Sequence, residues 1–211
     1  MPVNSNEDHL NRHVLAMGKS GSGKSYWMMS HRLVKQSDRV IVWDPYQTHN
    51  VKYYSSLKEF ARVIHSCIKK KQKLRIGLSV NPTKENFEFF CRCIWSLADG
   101  NVETVVLVEE LADVSRSGGA TGTWGNIIRV GRKYGLVIMA ATQRPQDIDK
   151  TLFTQVAKMW CGYISNYDQP YVERNLGLKP RTLSQIKKES YHHVLSDGDQ
   201  WEWGKPGDMK Y

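Results

Sequence analysis

The sequence predicts an α/β fold, with a mainly parallel central sheet flanked by helices and a small β-hairpin near the carboxyl end. Three observations carry that prediction. The strand candidates are continuous apolar runs rather than alternating ones, as strands buried on both faces read. They are separated by helical periodicities, the order that builds a parallel sheet through crossover connections. The stretch "YHHVLSDGDQWEWGKP" (residues 191–206) places two strand-like runs around Asp197 and Gly198, which marks a hairpin turn.

Each element follows from local chemistry. "HVLAM" (residues 13–17) is a short buried strand running into "GKSGSGKS" (18–25). "KSYWMMSHRLVKQ" (24–36) reads as one helix, with Trp27, Met28 and Leu33 for its packed face. "RVIVWD" (39–44) is a second strand, closed by Pro45. Leu57, Phe60, Ala61, Ile64 and Ile68 recur at helical spacing, and "LRIGLSV" (74–80) follows as a third strand. The next helix has Thr83 as its N-cap and Gly100 near its end. "ETVVLVEEL" (103–111) is the most apolar strand, followed by a flexible loop, "SRSGGATGTWG" (115–125). "NIIRVGRKYG" (126–135) reads as a helix ending at Gly135, and "LVIMAATQRP" (136–145) as another buried strand.

At 211 residues and 40% apolar content, the chain has enough material for one core. We read it as a single domain over residues 1–211, with the motifs in 13–150 and further strands and helices in 151–211. The first residues are polar and acidic, and no apolar stretch reaches the roughly 20 residues of a spanning helix, so no leader or transmembrane segment is expected. Cys67, Cys91, Cys93 and Cys161 are expected as reduced thiols, since the spacing of Cys91 and Cys93 does not resemble a zinc ligand pair. The 30 Lys and Arg exceed the 21 Asp and Glu, giving a formal charge of +9, which favours a polyanionic partner.

"GKSGSGKS" matches G-x-x-x-x-G-K-[ST] at every fixed position, between a strand and a helix as that motif requires. In such a loop the backbone N–H groups curl around phosphate oxygens. The residues expected to hold the nucleotide are Gly18, Lys19, Ser20, Gly21, Ser22, Gly23, Lys24, Ser25 and Tyr26, with Lys24 neutralising the β- and γ-phosphates and Ser25 offering a hydroxyl to Mg²⁺. A carboxylate on a neighbouring strand is then needed. Glu109 and Glu110 follow "VVLV" directly: the first would hold Mg²⁺, through water, and the second would orient or deprotonate an attacking water. The usual order is Asp-Glu, so which glutamate does which job stays open. Thr142 and Gln143 end a buried strand where parallel sheets bind ligands, and Gln143 could sense the γ-phosphate.

Taken together, "GKSGSGKS", "VIVWDP", "VVLVEEL" and "RKYGLVIMAATQRPQDID" resemble the FtsK–HerA superfamily of P-loop ATPases, motors that pump DNA through a ring, over about residues 15–150. In its small size and lack of extra modules the chain is most similar to the genome-packaging ATPases of membrane-containing icosahedral viruses, of tectivirus and corticovirus type. The resemblance implies a RecA-like P-loop NTPase fold, with ATP and Mg²⁺ as cofactors. It also implies a homo-oligomeric ring, a hexamer by analogy, acting on double-stranded DNA with capsid vertex or portal proteins, in the host cytoplasm or at the virion vertex. Carried over by position, it gives Lys24 and Ser25 to the nucleotide, Glu109 and Glu110 to metal and water, and Gln143 to the γ-phosphate. Asp44 would act near the catalytic water or start the turn with Pro45. Ring motors complete their sites with an arginine from the next subunit; Arg129 and Arg132 are the candidates, with Arg144 as an outsider.

For DNA contact, Arg116 in the glycine-rich loop and Lys133 in the basic segment are the candidates, since sequence-independent grip needs positive charge and backbone donors aimed at phosphates. The run "KKKQKLR" (69–75) is denser in charge, and solvent is its ordinary destination. His192 and His193 would point to opposite sides of a strand, and Trp124 could pack on a neighbouring subunit. Two rival readings of the same loop stay open: an ATPase driving protein export or assembly, of filamentous-phage or secretion type, and a small-molecule kinase.

Overall fold

A computed structural model of the chain describes residues 1–70, 73–197 and 199–207. The apolar runs become β1 (Val14–Met17), β2 (Arg39–Trp43), β4 (Leu74–Leu78), β5 (Thr104–Val108) and β6 (Leu136–Thr142). Every residue of β1, β2, β5 and β6 is buried. Two strands that periodicity did not single out, β3 (Lys52–Tyr54) and β7 (Lys158–Cys161), extend the set. With β8 (His193–Ser196) and β9 (Trp201–Gly204) they form one sheet in the order β3-β4-β2-β5-β6-β1-β7-β8-β9. Its pairings are parallel from β3 to β7 and antiparallel for β7–β8 and β8–β9. The expected hairpin is therefore an antiparallel addition to a parallel sheet, and Gly198 of its turn lies outside the described residues.

Alternate side chains of each central strand feed two cores. Ile41, Trp43, Val106 and Val108 face a core completed by α3 (Leu57–Lys70), α4 (Lys84–Leu97), α5 (Gly122–Val130), α6 (Lys150–Gln155) and α7 (Gln169–Asn175). Val40, Val42, Val105 and Leu107 face the opposite side, where α1 (Lys24–Ser30) and α2 (Arg32–Gln36) supply Trp27, Met28 and Val34. Burying each such side chain contributes roughly 1.5–3 kcal/mol, so the sheet centre is the stable platform on which loops can be held in demanding shapes.

Local signals set several boundaries. The Thr83 side chain accepts from the Asn86 N–H and caps α4 as expected. Gly135, at φ 73, closes the basic segment after a 3-10 turn, Gly131–Tyr134. The single helix expected over 24–36 is instead two, because His31 takes an extended backbone (φ −61, ψ 141) and turns its ring to accept from the Leu33 N–H, capping α2. The loop expected over 115–125 is shorter than the spacing suggested, with α5 beginning at Gly122, where the Glu88 carboxylate of α4 accepts from the Thr123 N–H and hydroxyl.

Trp124 is buried in its own chain, donating Nε1–H to Asp149 at 2.9 Å, and is not free for a neighbouring subunit. Of the basic run 69–75, Lys71 and Gln72 lie outside the described residues. Lys73 pairs with Asp38 at 2.7 Å, and Arg75 donates to the carbonyls of Val34, Lys35 and Ser37, closing α2. His193 is buried and His192 exposed, on opposite sides as expected. None of the four cysteines is in a disulfide, and no described helix is long and apolar enough to cross a membrane.

Candidate functional site

Strands β2, β5, β6 and β1 are consecutive neighbours, all parallel, so their carboxyl ends open on one side. Trp43 lies level with Val108, and Met17 with Thr142. Whatever follows these four strands in sequence must meet in space. Asp44 follows β2, Glu109 and Glu110 follow β5, Gln143 follows β6, and the glycine-rich loop follows β1; all contribute to one cavity of about 680 Å³.

The loop's geometry needs its glycines at specific points. Gly21 and Gly23 sit at φ 77 and 97, in the left-handed region where a Cβ is strained. At Gly18 a Cβ would stand 2.5 Å from Ser22 Oγ, so Ser22 would have to move for the loop to keep its shape. The closed loop is tied to the sheet by Gly18 N–H to the Thr142 carbonyl at 3.2 Å, and to the β7 side by Lys19 N–H to the Tyr163 carbonyl at 2.8 Å. Lys24, on the first turn of α1, is buried and donates Nζ–H to the Lys19 carbonyl at 3.2 Å. Burial lowers its pKa, and the charges of Glu110 and Glu109 oppose that shift. An ammonium held this way gains from any further anion that reaches it.

The two glutamates are sharply distinguished. Glu109 is buried, with Oε1 2.7 Å from Nε2 of the buried His49. Glu110 adopts a left-handed backbone (φ 47, ψ 55), rare for a side chain with a Cβ, and this turn carries it away from the strand's alternation. Its Oε1 accepts from Gln143 Nε2 at 2.6 Å, while Gln143 Oε1 accepts from the Ser20 N–H at 3.0 Å. Gln143 therefore bridges the loop and the acid. Burial raises the Glu110 carboxyl above its ordinary range, the Gln143 hydrogen bond and the Lys24 charge lower it, and the charges of Glu109 and Asp113 add to the rise.

Asp44 is fully buried, and its oxygens accept from the Tyr46 and Thr48 N–H groups, the Thr48 hydroxyl and the Tyr53 hydroxyl. It reaches the cavity wall while framing the connection after β2. Across the mouth, Asp113 accepts from the Tyr46 hydroxyl at 3.1 Å and from Arg144 at 2.9 Å. Arg144 thus lines the cavity of its own chain.

Ser20, Gly21, Gly23, Lys24, Ser25, Tyr26, Glu109, Glu110 and Gln143 all reach this cavity, whereas Gly18, Lys19 and Ser22 shape the loop beneath it. Arg129, Arg132, Arg116 and Lys133 do not line it. Arg129 is exposed and donates to the Ala120 carbonyl at 3.0 Å. Arg132 donates to the carbonyls of Glu7 and His9, and Lys133 pairs with Glu7 at 2.8 Å. Arg116 is exposed on the loop that leads to α5.

His49, Tyr46, Thr48 and Asp113 were not singled out from the sequence. Their one sequence signal was position: Tyr46, Thr48 and His49 follow the carboxyl end of a parallel strand, the ligand-facing side of such sheets. The cavity's hard oxygen donors, from Ser25, Glu109 and Glu110, suit Mg²⁺. Among the described residues no group of three or more His, Cys, Asp or Glu is placed to hold a metal ion.

A phosphate loop, with an acidic pair and a glutamine presented by adjacent parallel strand ends, gives this chain the fold of a P-loop NTPase. More narrowly, it belongs to the family of Protein P9 of Pseudoalteromonas phage PM2, to which it is 37% identical over 195 residues, covering 89% of this chain and 87% of that protein. No protein-family model matches the chain. Its fold is similar to that of the genome packaging NTPase B204 from Sulfolobus turreted icosahedral virus 2 in complex with AMPPCP (TM-score 0.72, 17% identity, 92% of this chain and 97% of that one). It is also similar to VirB4 of Thermoanaerobacter pseudethanolicus (TM-score 0.60, 12% identity, 92% of this chain and 88% of that one).

Proposed function

We propose that the chain is an ATP hydrolase that drives double-stranded viral DNA into a preformed capsid. The observation that carries the hydrolytic part is Gln143, hydrogen-bonded at once to the phosphate loop at Ser20 and to the acid Glu110. A group so placed changes partners when a γ-phosphate arrives or leaves, and so couples occupancy of the loop to the position of the base. The genome-packaging activity of the structurally similar B204 supports the DNA part, and the chain's net charge of +9 supports a polyanionic cargo.

Lys24 and the loop amides hold the triphosphate in this reading. Ser25 and, through water, Glu109 would hold Mg²⁺, Glu109 being kept in place by His49. Mg²⁺, when bound, would supply neutralisation of the triphosphate charge. Glu110 takes the proton of the attacking water, and Gln143 holds the γ-phosphate side of the site. The subunits assemble as a ring, by analogy a hexamer, in the host cytoplasm or at the virion vertex, against capsid vertex or portal proteins. Arg129 or Arg132 serves the neighbouring site, and Arg116 touches DNA backbone. Lys133 would do so after exchanging its pair with Glu7.

Measuring ATP hydrolysis with and without duplex DNA over a salt series tests this reading. Double-stranded DNA should stimulate turnover, and the stimulation should decline steeply with salt because releasing condensed counterions into a more concentrated solution gains less free energy. ATP turnover indifferent to DNA but accelerated by a protein partner would point to export or assembly instead.

A further inference from the structure

The metal-holding acid of a phosphate-loop site is ordinarily an aspartate, and here that place is taken by Glu109. The extra methylene adds a rotatable bond and carries the carboxylate roughly 1.5 Å further from the strand, so a glutamate needs a restraint that an aspartate does not. We propose that His49 is that restraint: a positioning residue whose imidazole holds the longer side chain in one rotamer and so fits it to the task. This inference rests on the reading of Glu109 as the acid that holds Mg²⁺ through water. His49 Nε2 stands 2.7 Å from Glu109 Oε1, and the two side chains are only 2% and 4% exposed. His49 does not line the phosphate cavity, whereas Glu109, Tyr46 and Thr48 do. The imidazole therefore reaches the site from behind, through Glu109.

A whole connection is folded to deliver this ring. It crosses from β2 over β4 to β3, and both of its ends are tied to the end of β4. The Asp44 N–H donates to the Leu78 carbonyl at 3.1 Å, and the Ser79 N–H to the Tyr54 carbonyl at 2.9 Å. Between these ties the buried Asp44 carboxylate gathers the Tyr46 and Thr48 N–H groups and the hydroxyls of Thr48 and Tyr53. The Tyr53 oxygen in turn accepts from the His49 N–H at 3.1 Å, which fixes the backbone that carries the imidazole. Gly77 of β4 leaves room for the Tyr53 ring, which a Cβ there would overlap. Glu109 is registered to β2 as well, its N–H donating to the Trp43 carbonyl at 2.9 Å. Both members of the pair are therefore set by the end of β2, and Asp44 is the hub of the scaffold that carries His49. With an aspartate at position 109 the contact would open by about one carbon–carbon bond, beyond hydrogen-bonding range, so the imidazole suits the longer acid alone.

The test titrates Mg²⁺ into the full chain holding a non-hydrolysable ATP analogue, read by calorimetry, alongside binding of the analogue in EDTA. Loss of an outer-shell partner predicts that His49→Leu raises the half-saturating Mg²⁺ concentration about 10- to 100-fold, while analogue affinity in EDTA stays at the parent value. His49→Gln, whose amide donates at similar reach, should restore most of the loss. In the Glu109→Asp background, His49→Leu should add no further rise. Should His49→Leu not fold, Tyr53→Phe, which removes the hydroxyl under the His49 N–H, should still raise the Mg²⁺ requirement with the EDTA affinity intact. An unchanged Mg²⁺ requirement in the folded variant would overturn the inference, as would equal losses with and without Mg²⁺, the mark of a disturbed loop. So would the same rise from His49→Leu in both backgrounds, since the imidazole would then act otherwise than through the longer carboxylate. If the parent bound the analogue with no response to Mg²⁺ at all, the metal reading of Glu109 itself would fall, and the role of His49 with it.

Discussion

Glu110 carries the most specific chemistry of any single residue. Its left-handed backbone costs about 1–3 kcal/mol, which persists because the buried β5 strand holds the turn and Gln143 fixes the carboxylate. If Glu110 is the base, as proposed, Glu110→Gln should lower the maximal rate by about 10²- to 10⁴-fold while nucleotide affinity changes little. Because burial raises the Glu110 carboxyl and a base must be deprotonated to act, the parent's rate should rise with pH through a midpoint above the ordinary value of 4.5, and that limb should vanish in the variant. A variant with the parent rate would remove Glu110 from the chemistry. The acids were legible because strand, loop and motif are local in sequence. His49 was not: it meets Glu109 across 60 residues, from a connection with no motif of its own. Nor could the order of the two glutamates be read, since the left-handed turn that separates them is a conformation and not a composition.

Among the elements, β1, β2, β5 and β6 were legible as apolar runs because both faces are covered, β4 by its buried second half, and α3 and α4 because each presents an apolar face to the core. Where the reading failed, the deciding contact came from elsewhere. α5 starts early because Glu88, 35 residues away, satisfies its first turn. The break at His31 is more local, yet Trp27, Met28 and Leu33 keep helical spacing straight through it. Two buried imidazoles make these elements sensitive to acid. His13 accepts the Ile138 N–H at Nδ1 and caps no helix, whereas His31 accepts the Leu33 N–H and caps α2. Burial first, then Arg132 for His13 and Lys158 with Arg32 for His31, lowers each pKa from 6.5 to about 4. The unfolded chain therefore binds a proton in that window and the folded chain does not, so stability falls as pH drops from 6.5 towards 4 and is insensitive to these groups above it. A shift of this size corresponds to at most about 3 kcal/mol for His13. Urea midpoints across that range should shift downward in the parent and less in His31→Asn, which keeps an acceptor for the cap; parallel curves would contradict the assignment.

Across the whole molecule, the chain's amino-terminal arm and its basic segment form one structure. Val3 bridges to Asp99, Asn6 N–H donates to the Lys133 carbonyl, and Arg132 holds the carbonyls of Glu7 and His9. Arg132 would have to give up those carbonyls to reach a neighbour's phosphate, whereas the exposed Arg129 would give up one. Under the proposed ring assembly, mixing inactive Lys24→Ala subunits with Arg129→Ala subunits should therefore restore ATPase activity, while Arg132→Ala should mainly lower thermal stability. Rescue with Arg132→Ala and not Arg129→Ala would reverse that order. The arm's contacts were not legible beforehand, because its sequence is polar and carries no periodicity, and its partners lie far along the chain. What the sequence did carry was the alignment of motifs with consecutive strand ends, on which the proposed ATP chemistry depends. Calorimetric titration of the parent and Lys24→Ala with Mg·ATP addresses that dependence most directly. The account predicts saturable heat for the parent and at least about tenfold weaker binding without the lysine, as expected for losing a charge-assisted contact. Equal affinity in the two proteins, or no heat in either at any protein concentration, would contradict it.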